Sequence, residues 1–398
     1  MNVQEALEKA CPDVRSGAAA DAVLGVRPRW VASPGTVAEA AGTLRAAAAH
    51  GLAVVPRGAG TRLGWGAPPR ECDLVVDTRR LDRVIEHAAG DLVVTVEAGL
   101  PVDRLAEVLA GQGQRLALDR PLAGSTVGGT LATGAAGPLR LLYGGPRDLV
   151  IGITVVRADG EVARSGGKVV KNVAGYDLGR LFTGSFGTLG LIVAASFRLH
   201  PLPAARAYVT ARVDDPHPAV QAVLHSAAVP AAVEIHAPPG GPYAVGVLVE
   251  GVAAGIAARA EQVARLLGPA AEVGDEPPAW WNRPPAAADD LLLELTLPPA
   301  ALPGVLAAAG EAGAEVGGSA GTGRLHARLP ASAAAAVPEL RDRLAPLDAG
   351  LVVRAAPPGL HAGLDLWGPV PALRLMRRVK DQFDPGHRMS PGRFAGGI

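Results

Sequence analysis

The chain has 398 residues, with 38 Lys plus Arg against 38 Asp plus Glu, and is formally uncharged. That length holds two or three domains with real cores. The charge balance argues against a nucleic-acid surface, which needs a basic excess to replace counterions, and two cysteines without a CxxC argue against a zinc or iron–sulfur centre held by this chain alone.

Taken from the N-terminus, MNVQEALEKACPDV has charges where a signal peptide has an apolar run, so no export is expected. No apolar stretch approaches the roughly 20 residues of a membrane span, and a cytoplasmic protein is expected. Thr36-Val37-Ala38-Glu39 has the S/T-x-x-E pattern of a capping box; an alanine-rich helix follows to His50, with Gly51 as its stop. His50 is placed to cap that helix end. A short strand, LAVVP (52–56), leads into the glycine-rich turn RGAGTRLGWG (57–66). Further strands read at 73–77, 83–87 and 91–97, and a helix starts at Pro101 with Val102, Leu105, Val108 and Leu109 on one face. Residues 149–164 read as a hairpin turning at Ala158-Asp159-Gly160, and a last strand, 190–200, stops at Pro201. Beyond about residue 203 strands alternate with alanine-rich helices and proline loops, as in a second α+β domain. The tail reads as a basic amphipathic helix, LRLMRRVKDQF (373–383), followed by two proline–glycine turns. No internal repeat is evident.

Three segments are unusually rich in small residues. PRGAGTRLGWG (56–66) sets backbone N–H groups where they can approach an anion, since glycine permits the backbone angles of an anion nest. It is neither a Walker loop nor a GxGxxG turn, and taken alone it is a turn. PLAGSTVGGTLATGAAGP (121–138), almost without bulky side chains, reads as a loop able to lie flat against a large planar ligand. GSFGTLG (184–190) repeats the theme before a strand. Together the three favour a large phosphorylated cofactor lying across the first domain.

The order of PRGAGT, TVEAG, GSTVGGTLATG, a hairpin with ADGEV, KNVAGYDLGRLFTGSFGTLG and a terminal FDPGHRMSPGRF resembles the FAD-binding oxidoreductases of the p-cresol methylhydroxylase/vanillyl-alcohol oxidase type. Within that family KVVKNVAGYD, AAGP and VLGVRPRW are most similar to the FAD-binding subunits of glycolate oxidase. The resemblance covers roughly residues 20–203 and the last 25. It implies an α+β fold: a two-part p-cresol-methylhydroxylase-type FAD-binding domain (1–203), an α+β, ferredoxin-like substrate or cap domain (204–372), and a C-terminal segment (373–398) returning to the FAD domain. By the same resemblance Pro56, Arg57, Gly58, Ala59, Gly60, Thr61 and Arg62 wrap the FAD pyrophosphate. Gly124, Ser125, Thr126, Gly128, Gly129, Thr130, Ala132 and Thr133 run along pyrophosphate and flavin, and Gly187, Gly190 and Ile192 touch the cofactor from the other side. Thr61 stands where covalently flavinylated relatives carry histidine, which implies noncovalent FAD.

The polar stretch GGKVVKNVAGYDLGRL (166–181) then acquires a role. When a flavin accepts hydride from a 2-hydroxy acid, a nearby cation stabilises the charge that develops and can hold the substrate carboxylate. Lys168 and Lys171 are candidates for that cation and Tyr176 for a donor. Asn172 is a candidate to hold the loop, and Asp177 to cap the helix beginning LGRLF. Catalytic relatives carry an HxGDGNxH-type metal motif in the second domain. Here His217, His225, His236, His326, His361 and His387 have no ligand spacing, so no metal is assigned, and His236 is the least implausible base.

The expected function is that of an FAD-binding subunit of a glycolate oxidase or dehydrogenase complex. It would oxidise a small 2-hydroxy acid beside a larger flavin subunit and an iron–sulfur subunit, with any membrane association coming through those partners. Two alternatives stay open: a self-sufficient FAD-dependent D-2-hydroxy-acid dehydrogenase, and a non-catalytic flavin-binding scaffold.

Overall fold

The computed structural model describes residues 2–119, 122–167, 176–285 and 289–398. The chain forms two units: Met1–Ala135, Gly145–Pro201 and Pro369–Ile398 make the first, and Ala136–Gly144 with Leu202–Gly368 the second.

In the first unit β1 (Val14–Ser16), β2 (Trp30–Ala32), β3 (Val54–Arg57) and β4 (Leu74–Asp77) form a sheet in the order β1-β2-β4-β3, with β4 parallel to both β2 and β3. The helix Val37–Ala49 connects β2 to β3. Thr36 Oγ1 accepts from the Glu39 N–H at 3.1 Å, as the sequence pattern predicts. The Glu39 carboxylate accepts from Gly35 N–H (2.8 Å), one residue earlier than a capping box requires. The helix ends at His50, and Gly51 follows with φ 68°, the left-handed geometry that glycine takes without strain. Its buried face, Ala40, Ala41, Leu44 and Ala47, packs with Leu52, Val54, Leu74 and Val76. A fully buried leucine such as Leu44 contributes roughly 2 kcal/mol.

A second sheet of the same unit holds β5 (Val84–Ala88), β6 (Val93–Glu97), β8 (Val150–Val156), β9 (Val162–Gly166) and β10 (Leu191–Arg198), in the order β5-β6-β10-β8-β9 and antiparallel throughout. β7 (Gln114–Arg115) and β11 (His200–Pro201) form a separate two-stranded ladder. The predicted hairpin is β8 and β9, whose last pair is Val156 with Val162; the link closes with Arg157 N–H on Glu161 O (2.9 Å) and Gly160 at φ 82°. The helix Val102–Ala110 buries Val102, Leu105 and Leu109 in a core shared with Val94, Val96, Ile153, Phe182 and Phe197. Asp177 caps the helix Leu178–Phe182, accepting from Arg180 N–H at 3.1 Å.

The segment expected to lie flat as a loop instead contains a helix, Val127–Thr133, capped by Thr126 and stopped by Gly134 at φ 64°. Helix propensity does not explain it, since Gly128 and Gly129 each cost roughly 1 kcal/mol there. Close packing does: Gly128 N–H donates to Ala98 O at 2.7 Å, and a Cβ on Gly128 would lie 2.8 Å from the Ala98 Cβ.

The second unit is one eight-stranded antiparallel sheet of β12 (Ala205–Val213), β13 (Ala232–Ala237), β14 (Tyr243–Gly251), β15 (Glu272–Gly274), β16 (Leu291–Thr296), β17 (Glu315–Ser319), β18 (Arg324–Leu329) and β19 (Gly350–Ala355). Its order is β15-β12-β14-β13-β17-β18-β16-β19. With the helices Pro216–Leu224 and Ala253–Leu267 the first half reads β-α-β-β-α-β, and with Leu302–Glu311 and Val337–Leu344 the second half reads the same. Each half has the ferredoxin-like strand order, and the second strands of the two halves, β13 and β17, join them antiparallel. The unit is therefore a duplication that the sequence conceals. Leu291, Leu293, Leu295, Leu325, Ala327 and Leu329 alternate toward one face and are buried. Among the described residues no helix is long and apolar enough to cross a membrane.

Candidate functional site

A cleft opens in the first unit. One wall is the end of β3 and the turn after it, Pro56 through Leu63. A second is the helix Val127–Thr133, presenting Gly129, Ala132 and Thr133, with its cap Thr126. Phe186 and Gly187 bring in the third small-residue segment, and Arg393 comes from the C-terminal segment. The walls are interlocked at close range. A Cβ on Gly58 would overlap the Thr126 hydroxyl, and Gly60 holds φ 79°. Thr61 Oγ1 and Ser125 Oγ share a hydrogen bond of 3.1 Å. Gly187, at φ 70°, leaves a Cβ position only 3.3 Å from both Pro56 and Ser390.

Three arginines line this cleft, and their charges are handled differently. Arg57 is neutralised: its guanidinium donates to Asp21 and to Asp77, each at 3.0 Å. Arg62 is buried, donates from Nη1 to Ser125 Oγ (3.1 Å) and lies 5.5 Å from the centre of the Trp65 ring, while its Nε has no partner. Arg393 is also buried; its Nη2 donates to Leu63 O (2.7 Å) and Trp65 O (2.5 Å), and its Nε is likewise unpartnered. Burial alone pulls Arg62 down to about 10 and is the main cause of the same shift at Arg393. Among the described residues neither forms an ion pair with a carboxylate. Two buried, uncompensated guanidiniums beside a turn of small residues fit a diphosphate, which supplies negative charge and paired acceptor oxygens for the planar guanidinium fork.

Arg393 was not singled out from the sequence, and what holds it explains why. Lys380, on the helix read as basic and amphipathic, is fully buried: its Nζ donates to Asp384 Oδ2 (2.7 Å), Thr188 O (2.7 Å) and Met389 O (2.9 Å). Met389 bridges in parallel to Val54 at the edge of β3, with Val54 N–H on Arg388 O and Ser390 N–H on Val54 O. Phe394 stacks on Phe186 at 5.4 Å. Apart from those of Lys380 to Asp384 and Met389, these contacts join residues more than 190 positions apart, beyond any local pattern. Leu63 and Phe186 are the other lining residues that the sequence reading omitted.

The remaining candidates fall elsewhere. Gly124, Ser125, Gly128, Thr130, Gly190 and Ile192 are not in the cleft lining. Ser125 supports it by bonding Thr61 and Arg62, and Gly128 serves helix packing. Ile192 belongs to the sheet core, and a Cβ on Gly190 would lie 2.8 Å from Val156 O. Lys168, Lys171 and Asn172 lie outside the described residues. Tyr176 is 90% exposed and is not in the lining; its carbonyl accepts from Ser165 Oγ at 2.7 Å.

In the second unit His236 bonds Glu315 (3.1 Å) and stacks on Trp280, which engages it structurally. His326 lies 4.0 Å from Glu294, and burial lowers its pKa below the ordinary histidine value. Among the described residues no three His, Cys, Asp or Glu side chains converge as metal ligands.

Residues 28–166 match the family model of an FAD binding domain. The chain is 38% identical over 177 residues to D-2-hydroxyglutarate dehydrogenase of Xanthomonas citri pv. viticola, covering 44% of this chain and 38% of that protein. It is 36% identical over 197 residues to glycolate oxidase subunit GlcD of Bacillus subtilis, covering 49% and 42% respectively. Glycolate oxidase subunit GlcE of Escherichia coli is 39% identical over 132 residues, 33% of this chain and 38% of that one. The matches thus span about two fifths of these relatives' length. Among solved structures, alkyldihydroxyacetonephosphate synthase superposes with a TM-score of 0.70 at 17% identity, over 92% of this chain and 77% of that one, a likeness of fold.

Proposed function

We propose that this chain, which carries an FAD-binding domain of the p-cresol methylhydroxylase type, takes part in the oxidation of a 2-hydroxy acid as the FAD-binding subunit of a glycolate oxidase complex. Its partners in that reading are a larger flavin subunit and an iron–sulfur subunit, and its substrate is glycolate or D-lactate. The observation that carries the reading is the cleft with Arg62 and Arg393 buried and without carboxylate partners. When bound, FAD supplies a two-electron acceptor for the hydrogen on the substrate's hydroxyl-bearing carbon.

The chain's own residues have distinct tasks. The turn Gly58–Arg62 offers backbone N–H groups and the Arg62 guanidinium to the diphosphate, and Gly129, Ala132 and Thr133 give a wall without bulk for the rest of the cofactor. Thr61 offers a hydroxyl already bonded to Ser125 where a covalent link would need an imidazole, so the flavin is held noncovalently. Tyr176, with Lys168 and Lys171, stands for substrate binding and proton handling.

The test starts with the purified chain. It should be yellow, and acid precipitation should leave FAD in the supernatant. Dye-linked oxidation of glycolate and D-lactate should be weak alone and strong with the partner subunits added. A colourless protein that takes up no FAD sinks the reading. Vigorous turnover by the chain alone replaces the subunit role with a self-sufficient dehydrogenase, a reading that the similarity to D-2-hydroxyglutarate dehydrogenase favours.

A further inference from the structure

We propose that the C-terminal segment is a clasp on the cofactor: Arg393 joins Arg62 in binding the FAD diphosphate, so that filling the cleft and docking the last residues are one linked equilibrium. The inference rests on the FAD reading and adds a residue and a behaviour to it.

The segment has a base set in the interior and a tip laid along the cleft. At its base Lys380 ties Asp384, Thr188 and Met389 together within the interior, and residues 388–390 extend the edge of β3. Beyond Ser390 the tip is held by Arg70 N–H on Pro391 O (2.8 Å), Ala67 N–H on Arg393 O (3.2 Å), Arg70 Nη1 on Gly397 O (3.0 Å) and the stacking of Phe394 on Phe186. The Arg393 side chain then crosses to the turn itself, donating to the carbonyls of Leu63 and Trp65. Those carbonyls are neutral acceptors, so the buried positive charge remains uncompensated, a state that costs free energy. An anion in the cleft removes that cost only while the tip is docked. Linkage then requires the docked tip to raise anion affinity by the same factor by which the anion favours docking.

The experiment uses the full chain stripped of flavin, with binding read from flavin fluorescence and tip docking from amide hydrogen exchange over residues 391–398. FAD and ADP should each slow exchange there at least about tenfold, whereas riboflavin, lacking phosphate, should not. Arg393→Ala should weaken FAD about 10- to 100-fold, the loss expected for a charge-assisted hydrogen bond, and riboflavin less than about twofold; Arg393→Lys should recover part of the loss. The exchange measurement on the unmodified chain needs no variant to fold. FAD affinity of Arg393→Ala within about twofold of the parent, or tip exchange indifferent to FAD, overturns the clasp while leaving the FAD reading intact. A parent chain that binds no FAD fails at the earlier step and removes both.

Discussion

The two units bury charge in opposite ways. In the second, two carboxylates on the sheet are each met by a cluster of cations: Glu294 by Arg354 (2.8 Å), Arg324 (3.1 Å) and His326, and Glu315 by Arg328 (2.9 Å) and His236. In the first, Asp21 and Asp77 compensate Arg57, but Arg62 and Arg393 are left without a carboxylate at the cleft. A protein keeps an uncompensated buried charge only where something else completes it, because desolvating a lone ion costs several kcal/mol. The imbalance at the cleft therefore points to a ligand, and the balance around Glu294 and Glu315 to structure.

The largest expected effect breaks the balanced side of that comparison. Glu294→Gln leaves Arg324, Arg354 and His326 facing each other without their shared counter-charge, and should destabilise the protein by about 3–5 kcal/mol in urea unfolding. In the parent, burial raises the Glu294 pKa but Arg354 and Arg324 outweigh it and hold the group down to about 2. A folded-state pKa below the unfolded one gives stability that is full above about pH 4.5 and lost as pH falls toward 2. The variant should lack that acid-induced decline. An unchanged pH profile would show that Glu294 does not carry the acid-induced decline.

A second, smaller pair of changes separates packing from ligand binding within one helix. Gly128→Val must displace Ala98 and should cost about 1–3 kcal/mol of stability, as overpacking does. Gly129, whose added Cβ would meet only Thr126 Oγ1 at 3.1 Å, lines the cleft. Gly129→Val should leave the melting temperature within a few degrees of the parent and abolish FAD retention. Full FAD occupancy in Gly129→Val would mean that this face does not hold the cofactor.

What could be read from the sequence follows the range of the interactions involved. Thr36, Gly51, Gly160 and Asp177 announce local turns and caps that depend on neighbours within a few positions, and the structure has them. The three small-residue segments could be seen singly, and the first and third supply contiguous parts of the cleft. The helix Val127–Thr133 could not, because its cause is Ala98, in the turn after β6. Arg393 and Lys380 were invisible for the same reason: their partners Leu63 and Thr188 lie far along the chain. The duplicated β-α-β-β-α-β unit left no repeat in the sequence, since strand order constrains the burial pattern and not the side chains that fill it.

The smallest effect on folding is expected at Tyr176, which sharpens the chemical rather than the structural side. Its side chain is 90% exposed, and the hydrogen bonds that fix its position run through the backbone: Ser165 Oγ and Leu178 N–H both donate to its carbonyl oxygen. Tyr176→Phe removes only the phenolic hydroxyl, so stability should stay within about 0.5 kcal/mol of the parent, and FAD content should be unchanged because the residue is outside the cleft lining. If the hydroxyl handles a proton at the substrate, rapid mixing with glycolate should show flavin bleaching slowed about 10²-fold, with the loss concentrated in kcat and accompanied by an altered pH profile. Bleaching at the parental rate would remove Tyr176 from the chemistry and leave Lys168 and Lys171 as the next substitutions to make.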